Sequence, residues 1–89
     1  MTIRRRVVVH GLVQGVFFRD SCRREARTLQ ATGWIRNNDD GTVEAVFEGD
    51  PDAVANLVEW AHAGPPGAQV SRVEMVEEQP EGLSDFRVV

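Results

Sequence analysis

Three valines, Val7-Val8-Val9, run into Gly11-Leu12-Val13-Gln14-Gly15-Val16-Phe17-Phe18-Arg19, and from Phe18 onward the apolar residues recur with the period of a helix. A strand that must pass at once into a helix through a glycine-containing turn leaves few arrangements open. Two glycines four apart let the backbone between them turn sharply and leave its N–H groups unshielded. A turn whose N–H groups converge at a helix N-terminus is an anion site, and the helix dipole adds to it. Arg19 falls in the first turn of that helix, where its guanidinium can fold back and hold two oxygens of a phosphate at once. On this reading Val13, Gln14, Gly15, Val16, Phe17 and Phe18 form a phosphate-binding loop served by one arginine. It is not a Walker loop, because no Gly-Lys-Ser/Thr follows. A lone arginine early in a helix is ordinarily solvated, and a glycine pair ordinarily only turns. The combination of strand, turn and arginine is what selects the anion site.

The rest of the chain supplies a sheet and a second helix. Strand one is predicted over Arg4 to His10, with Val7 and Val9 inside and Arg4, Arg5 and Arg6 as a solvated start. Helix one is predicted over Phe18 to Ala31, with Phe18, Cys22, Ala26 and Leu29 as its apolar stripe and Arg23, Arg24 and Arg27 in solvent. Trp34 to Asn38, Asp39-Asp40-Gly41 and Thr42 to Glu48 read as a hairpin. Val43, Ala45 and Phe47 should face the core and Glu44, Val46 and Glu48 the other side, with Trp34 a packing residue. Asp50 and Pro51 start helix two, whose stripe is Val54, Leu57, Val58 and Ala61, with Trp60 at the core edge. Gly64-Pro65-Pro66-Gly67 ends it. Val70 to Glu78 reads as a strand with Val73 and Met75 inward, and Phe86 to Val88 as a short closing strand. The order β-α-β-β-α-β places two helices on one face of a mostly antiparallel sheet, an α+β, ferredoxin-like arrangement.

Composition narrows the class. A chain of 89 residues suits one small domain, residues 1–89. No apolar run reaches the roughly 20 residues that span a bilayer, and the apolar stretch after Arg6 is too short for a signal peptide. The cytoplasm is the expected location, and no membrane partner is expected. Cys22 is the one cysteine, so no internal disulfide forms, and its place on the helix stripe marks a buried thiol. His10 and His62 stand apart from each other and from Cys22, so no metal site and no cofactor are expected. Charge is uneven along the chain. Residues 1–36 carry eight arginines against Asp20 and Glu25, a balance of +6, and residues 37–89 carry two against twelve acids, a balance of −10. The acidic whole argues against a nucleic-acid binder, while the basic first third favours a small anionic substrate.

Gly11, Val13, Gln14, Gly15, Val16, Phe18 and Arg19 also match the first motif of the acylphosphatases. Gly33-Trp34-Ile35-Arg36-Asn37 with Asp40-Gly41-Thr42-Val43-Glu44 matches the second, and Gly64-Pro65-Pro66 with Val73-Glu74 gives a softer third. The chain therefore resembles that family over nearly its whole length, and the family shares the ferredoxin-like fold. The resemblance implies hydrolysis of an acyl phosphate to a carboxylate and inorganic phosphate, by a metal-independent enzyme with no cofactor. It implies that Arg19 binds the phosphate and that Asn37 orients the attacking water. Taken without the motif, Asn37 is better explained by turn chemistry beside Asn38. Two departures stand out. Family members usually have glycine where this chain has Gln30, so the first helix should end differently, or later, near Gly33. They often close on an aromatic residue, where this chain has Val89.

Two other classes share the element order. An RNA-recognition module needs exposed aromatics on the central strands, where this chain offers Val8, His10, Glu44, Val46 and Glu48. A non-catalytic acylphosphatase-like module opens some larger carbamoyl-transfer maturation proteins. The chain's close at Val89 favours a free-standing enzyme. Its expected partner is a small-molecule acyl phosphate, and a monomer is the expected state.

Overall fold

A computed structural model describes all of residues 1–89. The elements are β1 (Ile3–Leu12), α1 (Phe18–Thr28), β2 (Thr32–Asn37), β3 (Val43–Gly49), α2 (Pro51–Ala63), β4 (Gln69–Glu78) and β5 (Phe86–Val88). They build one sheet in the order β4-β1-β3-β2-β5. Its pairs are antiparallel except β2 with β5, which is parallel. This is the ferredoxin-like α+β fold read from the pattern. No helix is long and apolar enough to cross a membrane.

Register sets the two faces of the sheet. Val7 lies opposite Ala45, and Val9 opposite Val43. These residues, with Ile35, Phe47 and Phe86, meet Phe18, Cys22 and Ala26 of α1 and Val54, Leu57 and Ala61 of α2 in one buried cluster. Both helices therefore cover the same face, and the predicted helix stripes are the residues that pack. Leu29 and Val58 sit at the margin of the cluster, and Trp60 meets the Phe18 ring edge-on at 5.2 Å. Burial pushes the Cys22 thiol far up, with Glu25 adding to it, so it is a packing residue without thiolate character.

The other face corrects the reading of the arginines. Arg4 is 3% exposed, not a solvated strand start. Its guanidinium meets Glu48 at 2.7 Å and Glu78 at 2.8 Å. Arg6 pairs with Glu44 and Glu78 and lies over Trp34, which Arg36 also faces at 5.1 Å. Arg5 points to the helix side, half-buried, 3.5 Å from Glu77. The cause is position: β1 is a central strand, flanked by the glutamates of β3 and β4. Val46 does lie away from the helices as expected, yet it is fully buried, between Arg6 and Trp34 in the register.

Three smaller differences have local causes. Met75 shares Val7's face but lies on edge strand β4, and it is 53% exposed rather than inward. Asp50 occupies the cap position of α2, yet its side chain makes no capping hydrogen bond. The first helix ends at Thr28, earlier than Ala31. Gln30 takes the left-handed conformation, φ 60°, that glycine would take there. The N–H of Ala31 donates to the Ala26 carbonyl at 2.8 Å and that of Gln30 to the Arg27 carbonyl at 3.1 Å, the double closure of a Schellman turn.

Candidate functional site

The loop between β1 and α1 forms because β1 must leave the sheet. The β1–β4 register slips between His10 and Gly11. At Gly11, φ is 123°, and a Cβ there would lie 2.1 Å from the Gln69 carbonyl oxygen. Gly15 and Phe17 then take positive φ values of 75° and 64°. Phe17 caps α1 without any side-chain hydrogen bond to the helix end. The first helical bond is Ser21 N–H to the Phe17 carbonyl. From Val13 to Asp20, no backbone N–H donates to another protein group. Such a run of free donors at a helix N-terminus is able to receive an anion.

A cavity of about 380 Å³ opens beside this loop. Val13, Gly15, Phe17, Phe18 and Arg19 line one side of it, and Asn37 enters from the end of β2. Arg19 is exposed. Every arginine other than Arg19 and Arg87 takes part in an ion pair, so Arg19 keeps its whole donor fork for a ligand. Asn37 carries a buried Oδ1 that has no hydrogen-bond partner. A buried acceptor left unpaired is costly and calls for a missing donor. Turn chemistry falls to its neighbour instead: Asn38 Nδ2 donates to the Thr42 hydroxyl at 3.0 Å, and the Asn38 carbonyl accepts from Gly41. Thr42 in turn donates to Asp40 through its hydroxyl and its N–H, which holds the Asp40 carboxyl below its usual range.

Two residues of the predicted loop do not line the cavity. Gln14 points away and donates through Nε2 to the carbonyls of Asn38 (2.8 Å) and Thr42 (2.9 Å), fastening the loop to the hairpin that carries Asn37. Val16 packs against the core. Three residues not anticipated do line it: Asp20, Arg23 and Val88. The Arg23 side chain is 37% exposed, part solvated rather than wholly so. Its Nη2 meets Asp20 Oδ1 at 2.7 Å, and its Nε is buried without a partner. Helical period could have found it, since Arg23 is four residues after Arg19 and shares its face. Val88 arrives through β5, and no local signal in the sequence marks it. No group of three or more His, Cys, Asp or Glu side chains converges anywhere in the chain.

The family model for acylphosphatase matches residues 5–88. The chain belongs to the acylphosphatase family. An acylphosphatase of Thermococcus kodakarensis is 58% identical over 98% of this chain and 96% of its own length. One of Haloquadratum walsbyi is 52% identical over 96% of this chain and 91% of its own. In three dimensions the chain is similar to the acylphosphatase of Coxiella burnetii, with a TM-score of 0.95 at 48% identity, over 99% of this chain and 93% of that one. Acylphosphatases are hydrolases, and the arrangement above is the one this chain brings to that family.

Proposed function

We propose that the chain hydrolyses acyl phosphates with its own backbone, one arginine and one asparagine. The reading rests on one observation: Arg19, free of ion pairs, and the unpaired Oδ1 of Asn37 line the same cavity as the unpartnered N–H groups at the start of α1. The phosphoryl oxygens lie against those N–H groups and the Arg19 guanidinium. Both strengthen as charge shifts over the phosphoryl group in a loose transition state. A water donates one hydrogen bond to Asn37 Oδ1 and turns a lone pair toward phosphorus. The P–O bond to the acyl group breaks as the water oxygen bonds to phosphorus, and the bonding pair leaves with the carboxylate. Both water protons end on the phosphate oxygens, giving a carboxylate and dihydrogen phosphate. Asparagine takes up no proton, and the carboxylate is a good leaving group that needs no general acid.

Phe17 and Phe18 flank the cradle and leave an apolar place for the acyl group. We read the partner as a small-molecule acyl phosphate and the chain as a monomer acting alone. Nucleic acid is a poor fit, because the chain carries a net charge of −4 and the Trp34 ring is already engaged by Arg6 and Arg36. The test is hydrolysis of benzoyl phosphate by purified protein in oxygen-18 water, with and without a strong chelator. Label should appear in phosphate and not in benzoate, at equal rates in both conditions. Label in benzoate would move the attack to the carbonyl carbon, and loss of turnover in chelator would introduce a metal.

A further inference from the structure

The cavity contains a second unpaired group. Arg23 Nε and Asn37 Oδ1 are buried polar atoms without partners, one a donor and the other an acceptor, and they do not satisfy each other. The Arg23 side chain is 37% exposed and its charge is partly hydrated, but Nε itself is out of contact with solvent and needs an acceptor that enters the cavity. Its other end is already fixed, because Asp20 Oδ1 holds Nη2 at 2.7 Å. Asp20 does not cancel the charge of Arg23 alone. Its Oδ2 also faces Arg24, at 3.5 Å. With Arg19 unpaired as well, the ionisable lining of the cavity keeps an excess of positive charge.

Arg23 stands at the flank of the phosphate cradle. Its backbone follows Arg19 by four residues, about 6 Å along the helix axis, while its guanidinium leans back to Asp20. Arg19 and the N-terminal N–H groups take the phosphoryl oxygens, so the open Nε of Arg23 is left for the remainder of the substrate. The cavity, at about 380 Å³, has room for both parts. We propose that Arg23 is a specificity-determining residue that selects acyl phosphates whose acyl group carries a second, carboxylate anion. This rests on the cradle reading given above. A carboxylate oxygen accepting from Nε makes the charge-assisted bond the structure leaves open.

The test compares rigid substrates that cannot cyclise: benzoyl phosphate against 3-carboxybenzoyl and 4-carboxybenzoyl phosphate. In the native protein, kcat/KM for the better carboxylated substrate should exceed that for benzoyl phosphate by about tenfold, the scale of one charge-assisted hydrogen bond. The ratio should collapse toward unity in Arg23→Gln. It should stay well below the native value in Arg23→Lys, which keeps the charge but lacks a donor at the Nε position. No preference in the native protein overturns the proposal. A preference that persists in Arg23→Gln overturns it too, and so do rates that fall in parallel for all three substrates, which would place Arg23 in the phosphate site. A binding arm is independent of turnover: titration of isophthalate and of benzoate, each with phosphate present, followed by NMR. Isophthalate should bind the native protein more tightly than Arg23→Gln, and benzoate should not distinguish them. Absence of benzoyl phosphate hydrolysis would count against the cradle reading, whereas equal isophthalate binding by both proteins would count against Arg23.

Discussion

Asn37 keeps a buried acceptor unpaired, and its neighbour Asn38, with the same side chain, is fully engaged in the turn. That contrast assigns the two adjacent asparagines different work. Asn37→Ala removes an unsatisfied polar atom, so the thermal midpoint should not fall. Turnover should drop by about 10²-fold or more, the scale of losing one well-aimed polar group. Phosphate should still inhibit competitively, since the cradle is intact, and the loss should appear in kcat at similar KM. A folded Asn37→Ala protein with native turnover would remove this residue from the mechanism. Arg19→Lys should behave differently, losing phosphate inhibition along with turnover, because a lysine cannot present the planar fork. Inhibition by phosphate, read on both variants, separates the two roles. At this scale the sequence was readable where a residue sits in a tight local frame. Gly11, Gly15 and Arg19 are fixed by a strand-to-helix turn only a few residues long. Arg23 was within reach of the helical period it shares with Arg19, whereas Val88 was not readable as a cavity residue, because it arrives through β5.

Among the elements, α1 shows how a local rule can be broken without losing the element. Gln30 adopts φ 60° so that the Schellman closure at Ala26 and Arg27 can form. A side chain in the left-handed region carries a penalty of about 1 kcal/mol that glycine avoids. Gln30→Gly should therefore raise stability by about 0.5–1 kcal/mol, part of the gain being lost to the greater freedom of an unfolded glycine. Thermal melts of the two proteins check this, and an unchanged or lower midpoint would show that the Gln30 side chain stabilises the turn in another way. The loop before α1 depends on Gln14 for its place. Both of its hydrogen bonds reach the hairpin, so Gln14→Ala should loosen the cradle relative to Asn37 and lower kcat more than it weakens phosphate inhibition. Comparing turnover with phosphate inhibition on the same variant reads this directly. The helix stripes and the hairpin were legible because both are periodic patterns closed by turn residues. The Met75 expectation failed because alternation reports which face a residue takes and not whether its strand lies at the edge.

At the scale of the molecule, the open face of the sheet is closed by charge. Glu48 is fully buried, and its carboxylate accepts from Arg4 and from the N–H groups of Glu81, Gly82 and Leu83. It thereby holds the segment between β4 and β5 against the sheet. Burial pushes this carboxyl up, but the Glu81 N–H, the Arg4 guanidinium and the Leu83 N–H together outweigh it and hold Glu48 below the ordinary glutamate range. Since the folded value is the depressed one, its contribution to stability is present above the unfolded value of about 4.3 and is lost as pH falls through the folded value. Stability should be flat near neutrality from this source and decline on acidification below about pH 4.3. Glu48→Gln should be less stable at pH 7 by about 1.5–3 kcal/mol, the scale of a charge-assisted hydrogen bond, because Arg4 keeps Glu78 as a partner. It should also show a shallower acid decline than the native protein. Chemical denaturation across pH measures both, and an equal acid limb in the two proteins would assign the acid sensitivity to other carboxylates. Little of this was legible in advance. Arg4-Arg5-Arg6 looks like a solvated start until the order β4-β1-β3 places it between two glutamate-bearing strands.

That strand order also governs how the chain can be assembled over time. β1 precedes the other strands of its sheet in sequence, yet its two neighbours are β3 and β4, and Arg4 meets Glu78 across 74 positions of sequence. A nascent chain therefore carries a valine-rich strand with an open edge until β4 has been made. Pairings this distant in sequence make folding slow, on the order of milliseconds to seconds rather than microseconds. The loop before α1 is the direct continuation of β1, and its fastening at Gln14 waits for the hairpin. Refolding from denaturant should thus restore hydrolysis and tryptophan fluorescence in a single phase, with no early species that binds phosphate.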